Sequence, residues 1–332
     1  METTRLGRSG LEVSRICLGT MHFGTRTSED EAFRILDGAL EMGINFFDTA
    51  NVYGRPNTGR TEEIIGRWMG QGGGRRDSVV LATKVYGNMV DEPGPNEGHG
   101  ISAYKVRKHC QDSLRRLGTD HIDLYQVHHI DRRVPLEEFW RTFGRLEDDG
   151  DILYVGTSNF PGWGLTRYQM AAWQRGLTGI ISEQTQYNLF NRIPELEVLP
   201  ACETMGIGVI PYMPLGGGLL AGGKGPVPGS RTSQVWAEYG FSEDRTSQLA
   251  AYSELCSDLG EREHVVAIAW TLAHAAVSSA IVGVRTLAHL QGLDRAAALE
   301  LDSDTLSQLD SIFDVNLGRP LKPGPAPEAY AW

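Results

Sequence analysis

The chain predicts an α/β fold: a (β/α)8 TIM barrel with an N-terminal hairpin and extra C-terminal helices, residues 1–332 forming one domain. Three observations carry this expectation. Eight short runs rich in Val, Ile and Leu alternate with helical patterns, as a parallel sheet buried on both faces requires. Eight such units close a barrel, and barrels reach this length as one domain. The first run reads ICLGTMHFG, which lacks the G-x-G-x-x-G turn of a doubly wound sheet.

The elements follow in order. TTRLGRSGLEV is a hairpin turning at Ser9-Gly10, and SRICLGT is the first barrel strand. Ser28-Glu29-Asp30-Glu31 is a capping box that opens a helix with apolar spacing at Phe33, Leu36, Ala39 and Leu40. Strand INFFDTA comes next, then a helix from Thr61 to about Met69 ended by the Gly72-Gly73-Gly74 turn, then strand SVVLATKV. A helix over 102–117 is closed by Gly118 before strand IDLYQVHH. Pro135 starts a helix that runs to Gly150. Strands ILYVGTSN, GIISEQTQYN, GVIPYMP and SSAIVGV then alternate with helices over 163–175, 195–205 and 262–275. Two last helices are expected over 287–298 and 303–313. Residues 87–101 and 216–247 break the rhythm with Gly and Pro. Both leave strand C-termini, so both are expected over the barrel mouth. The Pro-rich tail from about 317 is expected to be extended.

A net charge of −11 argues against nucleic acid as a partner, since a binding face needs clustered Lys and Arg. Cys17, Cys110, Cys202 and Cys256 are far apart, with no C-x-x-C, and read as buried or idle thiols of a reducing cytoplasm. The polar start METTRLGRSG carries no secretion signal, and no apolar run is long enough to span a membrane. A cytoplasmic protein is expected.

Polar residues stand at the ends of the apolar runs: Asp48 after NFF with Tyr53 just beyond, Lys84 after VVLAT, and His128 after IDLYQV. Parallel barrel strands bring such ends to one mouth. A neutral Tyr, with a pKa of about 10, gives up its proton poorly unless the phenolate is stabilised. A lysine ammonium does that, a carboxylate holds the lysine, and a His orients a carbonyl or relays the proton. The set suits carbonyl reduction by hydride transfer. Read singly, Asp48 could end a strand and Tyr53 could be a packing aromatic. Lys84 is harder to read as structural, because an unpaired buried lysine is costly. His128 and His129 with Asp131 could be a metal pair, but strand alternation is expected to turn the two histidines opposite ways.

DTANVYG, LATKV, YQVHH, VGTSNF, EQTQYNL and YMPLGGGLL, in this order, resemble the motifs of the aldo-keto reductase family over roughly residues 4–315. The resemblance implies a (β/α)8 barrel that binds NADP(H) without a Rossmann fold. It implies Asp48, Tyr53, Lys84 and His128 as the catalytic tetrad, Tyr53 being the general acid. It assigns Ser158, Asn159 and Gln184 to the nicotinamide amide and Tyr212 to stacking on the nicotinamide ring. Gly19, Thr20 and Asp48 at the first strand ends, and Pro214, are assigned to the cofactor as well. Leu215, Gly216 and Gly218 offer backbone to a pyrophosphate. Gly283 and Arg285 follow the last strand, where an arginine can grip a ribose 2′-phosphate. Many members carry Glu and Asn further on, against adenine; this chain has Gly292 and Leu293, and His289 and Gln291 are expected to compensate.

The expected substrate partner is a small carbonyl compound, with no nucleic acid and no membrane. His22, Phe23, Tyr86, Asn88, His129 and Trp163 are expected to line its pocket, a polar and aromatic wall suited to a hydroxylated molecule. GRTEEIIGRWMGQGGGRRDSVVLATKV, SLRRLGTDHIDLYQVHHIDR and PELEVLPA are similar to actinobacterial members of deoxysugar (macrolide) pathways, which implies a keto-sugar. The same segments resemble general bacterial reductases and the potassium-channel β-subunits. An NADPH-holding redox-sensing module is therefore the alternative reading. A metal-dependent barrel hydrolase is a third.

Overall fold

The computed structural model describes residues 1–222 and 243–313. The tail and most of the 216–247 segment lie outside the described residues.

Eight parallel strands make one sheet: β3 (Ile16–Gly19), β4 (Phe46–Asp48), β5 (Val80–Val85), β6 (Ile122–Val127), β7 (Ile152–Ser158), β8 (Ile180–Gln184), β9 (Gly208–Val209) and β10 (Ala280–Gly283). They neighbour in chain order, and β10 returns to pair with β3. The remaining edge closes through bridges from Val209 to Val277 and from Tyr212 to Ile281. Strand β9 is shorter than GVIPYMP promised, because Pro211 has no N–H for the ladder. The Pro211 carbonyl still accepts from Ile281 at 2.9 Å.

Strand alternation divides the apolar residues into two cores. Cys17, Phe46, Val80, Ala82, Leu124, Ile181 and Ile210 fill the barrel. Ile16, Leu18, Phe47, Leu81, Val85 and Tyr125 meet the helices outside. The antiparallel hairpin of β1 (Thr3–Arg5) and β2 (Glu12–Ser14) carries Leu6 and Val13 into the inner core. Inner positions two residues further along the strands are polar: Asp48 after Phe46, Lys84 after Ala82, Gln126 after Leu124. Gly156 leaves them space. A Cβ there would stand 2.5 Å from Ser182 Oγ and 3.0 Å from Gln126 Cγ.

The helices follow their sequence signals. Ser28 accepts from Glu31 N at 3.3 Å to open helix Glu29–Glu41, which buries Ala32, Ile35, Leu36 and Ala39. Ser102 caps helix Ala103–Leu117, and Gly118 ends it at φ 64°. Helix 195–205 is instead a 3-10 turn, Ile193–Leu196, followed by helix Val198–Met205. The 287–298 helix is likewise split into a 3-10 turn Leu287–Leu290 and helix Leu293–Ala298, by Gly292 at φ 85°. Helix Glu243–Asp258 was not expected from the sequence. Its Leu249, Tyr252, Leu255 and Cys256 share one face that packs on the core. No helix among the described residues is long and apolar enough to cross a membrane.

Candidate active site

Asp48, Lys84, Gln126 and Gln184 end up at the mouth because four inward strand positions converge there. Lys84 is fully buried and donates to Asp48 Oδ2 at 2.6 Å, to the Thr49 carbonyl at 2.8 Å and to Tyr53 Oη at 3.3 Å. Those three bonds use all three ammonium hydrogens. The other Asp48 oxygen accepts from Gln126 Nε2 and Gln184 Nε2, each at 2.9 Å. Burial alone would discharge Lys84, but attraction to Asp48 and Tyr53 outweighs it and the ammonium is held above its ordinary pKa.

Tyr53 sits in the loop after β4, its amide bonded to the Ala50 carbonyl at 3.1 Å. Its ring lies edge-on to His128, with centroids 6.2 Å apart. Burial, then the Lys84 charge and then His129, hold the His128 pKa well below its ordinary value, so the imidazole is neutral at neutral pH.

His128 and His129 do not face opposite ways. Their rings stack at 5.2 Å with 12° between planes, and both line one cavity. Alternation fails here because β6 ends at Val127, before either histidine. Among the described residues, no three His, Cys, Asp or Glu side chains gather as a metal ion would need.

The cavity holds about 630 Å³ and runs from Tyr53 to Arg262. Gly19, Thr20, His22, Ser158, Asn159, Gln184, Tyr212, Pro214, Leu215, Gly218, Gly283, Arg285, His289 and Gln291 all line it. Tyr212 donates to Asn159 Oδ1 at 3.0 Å, and Asn159 Nδ2 reaches the His128 carbonyl at 3.1 Å. Ser158 Oγ donates to the Gln184 carbonyl at 2.9 Å. A Cβ on Gly283 would have only His22 Cδ2 near it, at 3.9 Å, so backbone is open to the cavity there. That bare backbone, the amide cluster and the guanidinium end suit a long anionic cofactor with a flat polar head.

Four expected lining residues lie elsewhere, and one glycine is displaced. Phe23 is fully buried in the outer core, because the turn after β3 tucks it in and the Thr61 hydroxyl bonds its carbonyl at 3.0 Å. Met21 takes its place on the cavity wall. Tyr86 stands behind His129, rings 5.1 Å apart, and Asn88 also lies outside the lining. Trp163 is at the surface under Arg132, 5.3 Å away. Gly216 is buried facing Phe190, and Gly217 lines the cavity instead.

Gln126, Met213, Arg262 and His264 belong to the site without having been anticipated. Gln126 had a weak signal, a polar residue inside the apolar run IDLYQV, and it pairs in register with Lys84. Arg262 and His264, at the start of helix Glu263–Ala273, had none. A larger shallow hollow of about 930 Å³ lies on the helices at Arg107, Arg141 and Arg175. It holds no buried reactive group, and its Arg145 pairs with Asp149 at 2.8 Å.

The family described as "Aldo/keto reductase family" matches residues 15–314. The chain is 49% identical over 336 residues, all of both chains, to "Uncharacterized oxidoreductase YrpG" of Bacillus subtilis (strain 168). It is 35% identical to "Probable voltage-gated potassium channel subunit beta" of Oryza sativa subsp. japonica, over 85% of this chain and 87% of that one. It is 30% identical to "Versiconal hemiacetal acetate reductase" of Aspergillus parasiticus, over 94% and 97%.

Proposed function

The chain belongs to the aldo/keto reductase family and is an oxidoreductase; on that premise we propose that it reduces an aldehyde or ketone to an alcohol with NADPH, Tyr53 giving the proton. One observation carries the reading: a single buried ammonium, Lys84, joins Asp48 to Tyr53.

When bound, the reduced nicotinamide supplies the hydride. Ser158, Asn159 and Gln184 would hold its amide, and Tyr212 its ring face. Tyr53 protonates the carbonyl oxygen as charge develops on it. The phenolate left behind faces the Lys84 charge at 3.3 Å, which Asp48 keeps in place. Neutral His128 directs the carbonyl oxygen toward Tyr53 through a ring N–H. Arg285, on the cavity wall, would grip a 2′-phosphate, which supports NADPH over NADH in this reading.

The wall of His22, His128 and His129 supports a hydroxylated substrate, and we read a keto-sugar as one candidate. The four free, buried cysteines fit a reducing cytoplasm.

Tyr53→Phe is expected to lower the rate of NADPH oxidation by a factor on the order of a thousand or more, with NADPH affinity nearly unchanged. Absorbance assays against sugar, aromatic and aliphatic carbonyls, with fluorescence titration of NADPH, make the test. Wild-type rates in the variant would sink the assignment.

The channel β-subunit relatives keep a second reading open: a redox-sensing module that holds NADPH and turns over slowly. Turnover slower than cofactor release across the whole panel would favour it.

A further inference from the structure

We propose that Arg262 grips the ribose 2′-phosphate of the dinucleotide, and that the missing side chain at Gly292 leaves the Arg262 guanidinium the space in which it stands. This rests on the cofactor reading above and adds Arg262 to Arg285 as a second arginine on the 2′-phosphate.

Arg262 immediately precedes helix Glu263–Ala273 and lines the cavity beside His264 and Gly292. A Cβ built on Gly292 would collide with Arg262 Nη2 and stand 3.0 Å from His264 Nε2. A side chain at 292 would therefore push the tip of the Arg262 side chain out of the place it holds. Gly292 also has φ 85°, which already disfavours most L residues.

The surroundings are built for an anion. Among the described residues neither Arg262 nor Arg285 has a carboxylate partner. The carboxylates nearest Arg262 in sequence are engaged elsewhere, Glu261 with Arg295 at 2.5 Å and Glu263 with Ser253 at 3.0 Å. Two guanidiniums with no carboxylate partner among the described residues stand out in a chain of net charge −11.

Two imidazoles complete the end. His264 Nε2 lies 3.2 Å from the Gln291 carbonyl, so that nitrogen carries the hydrogen and the ring is pinned beside Arg262. His289 Nδ1 accepts from Arg285 N at 3.2 Å, which leaves its Nε2–H as a donor. Burial first, with Arg285 and His264 next, holds His289 below its ordinary pKa. It therefore acts as a neutral donor, and the formal charge comes from the arginines. A phosphate monoester carries about −1.5 to −2 charge, whereas the 2′-hydroxyl of NADH carries none. A planar guanidinium binds the first bidentately and gains little from the second.

The test is a binding titration of full-length protein with NADPH, NADH, adenosine 2′,5′-bisphosphate and adenosine 5′-monophosphate. Arg262→Gln should weaken NADPH and the bisphosphate by on the order of tenfold or more, leaving NADH and the monophosphate unchanged. Gly292→Asn, which tolerates the left-handed backbone, should produce the same selective loss, with little further loss in the double variant. Equal weakening of NADPH and NADH by Arg262→Gln would overturn the proposal, since that is the signature of adenine stacking or of a structural role. Unchanged affinity for both would overturn it too. If the wild type binds no dinucleotide, the cofactor reading itself falls. If the wild type binds NADPH and only the Arg262 effect is missing, that reading stands and this inference alone fails.

Discussion

Asp48 and Lys84 show how far one buried pair can be committed. Their side chains are 4% and 0% exposed, and every ammonium hydrogen and both carboxylate oxygens are bonded. A pair this buried is costly to break because the surviving charge has no water to turn to. Asp48→Asn is therefore expected to destabilise the fold by about 3–5 kcal/mol and to lower turnover steeply. Urea denaturation beside the NADPH assay checks both, and a fully stable, fully active variant would contradict this account. These two residues were legible because a charge ending an apolar run needs a reason. Gln126 stands on the same strand face and was passed over, since a neutral amide raises no such alarm. The orientation of His128 and His129 was misjudged because alternation is a property of the strand, which stops one residue earlier.

Loops at this mouth are held by side chains from distant elements. Lys105, on helix Ala103–Leu117, donates to the carbonyls of Tyr86, Gly87 and Glu97 at 2.6, 2.9 and 3.3 Å, and to that of Gly98. His109, one turn further along, accepts from Asn51 Nδ2 at 3.0 Å and donates Nε2–H to Glu97 at 3.0 Å. Together they fasten the segment after β5 that stands behind His129. Burial lowers the Lys105 pKa to about 8, which leaves it charged at neutral pH. Lys105→Met should release this loop. Limited proteolysis within residues 88–100 should accelerate, and the KM for the carbonyl substrate should rise several-fold, roughly the effect of losing charge-assisted bonds. NADPH affinity should hold, since no residue of this loop lines the cavity end with Arg262. An unchanged cleavage pattern would remove the clasp from the account. The sequence marked 87–101 as a loop over the barrel mouth from its Gly and Pro content. It could not show the lysine and histidine that restrain it, because on their own helix they look like solvated polar residues.

Across the whole molecule, the sharpest pH dependence should come from Glu183, the residue before Gln184 on β8. It is fully buried on β8, and burial pushes its carboxyl up to about 8, against hydrogen bonds from Thr157 at 2.5 Å and Phe160 N at 3.0 Å. The sign follows from linkage. The folded pKa lies above the unfolded value, so the native state binds more protons between the two. The stability this group contributes is full at acid pH, below the unfolded pKa. It falls as pH rises toward about 8, by about 1.4 kcal/mol per unit at most, and is flat beyond. Glu183→Gln, which keeps the shape of the neutral acid, should flatten that slope and leave the variant more stable than the wild type near pH 8. Denaturation at pH 5 and pH 8 decides it, and parallel losses in both proteins would refute the assignment.

By itself the sequence determined the barrel, the order of its strands, and Asp48 and Lys84 as two charged residues that cannot be buried without a partner. Periodicity and the cost of burying charge are local properties, readable one element at a time. Only the tertiary structure decided which polar residues share a space. It sent Phe23 into the core, turned His129 inward, set Gln126 on Asp48, and seated Arg262 in the hollow beside Gly292. Each of those outcomes depends on where a second, distant element lies. That position is set by the closure of the whole barrel, so no single segment of the chain encodes it.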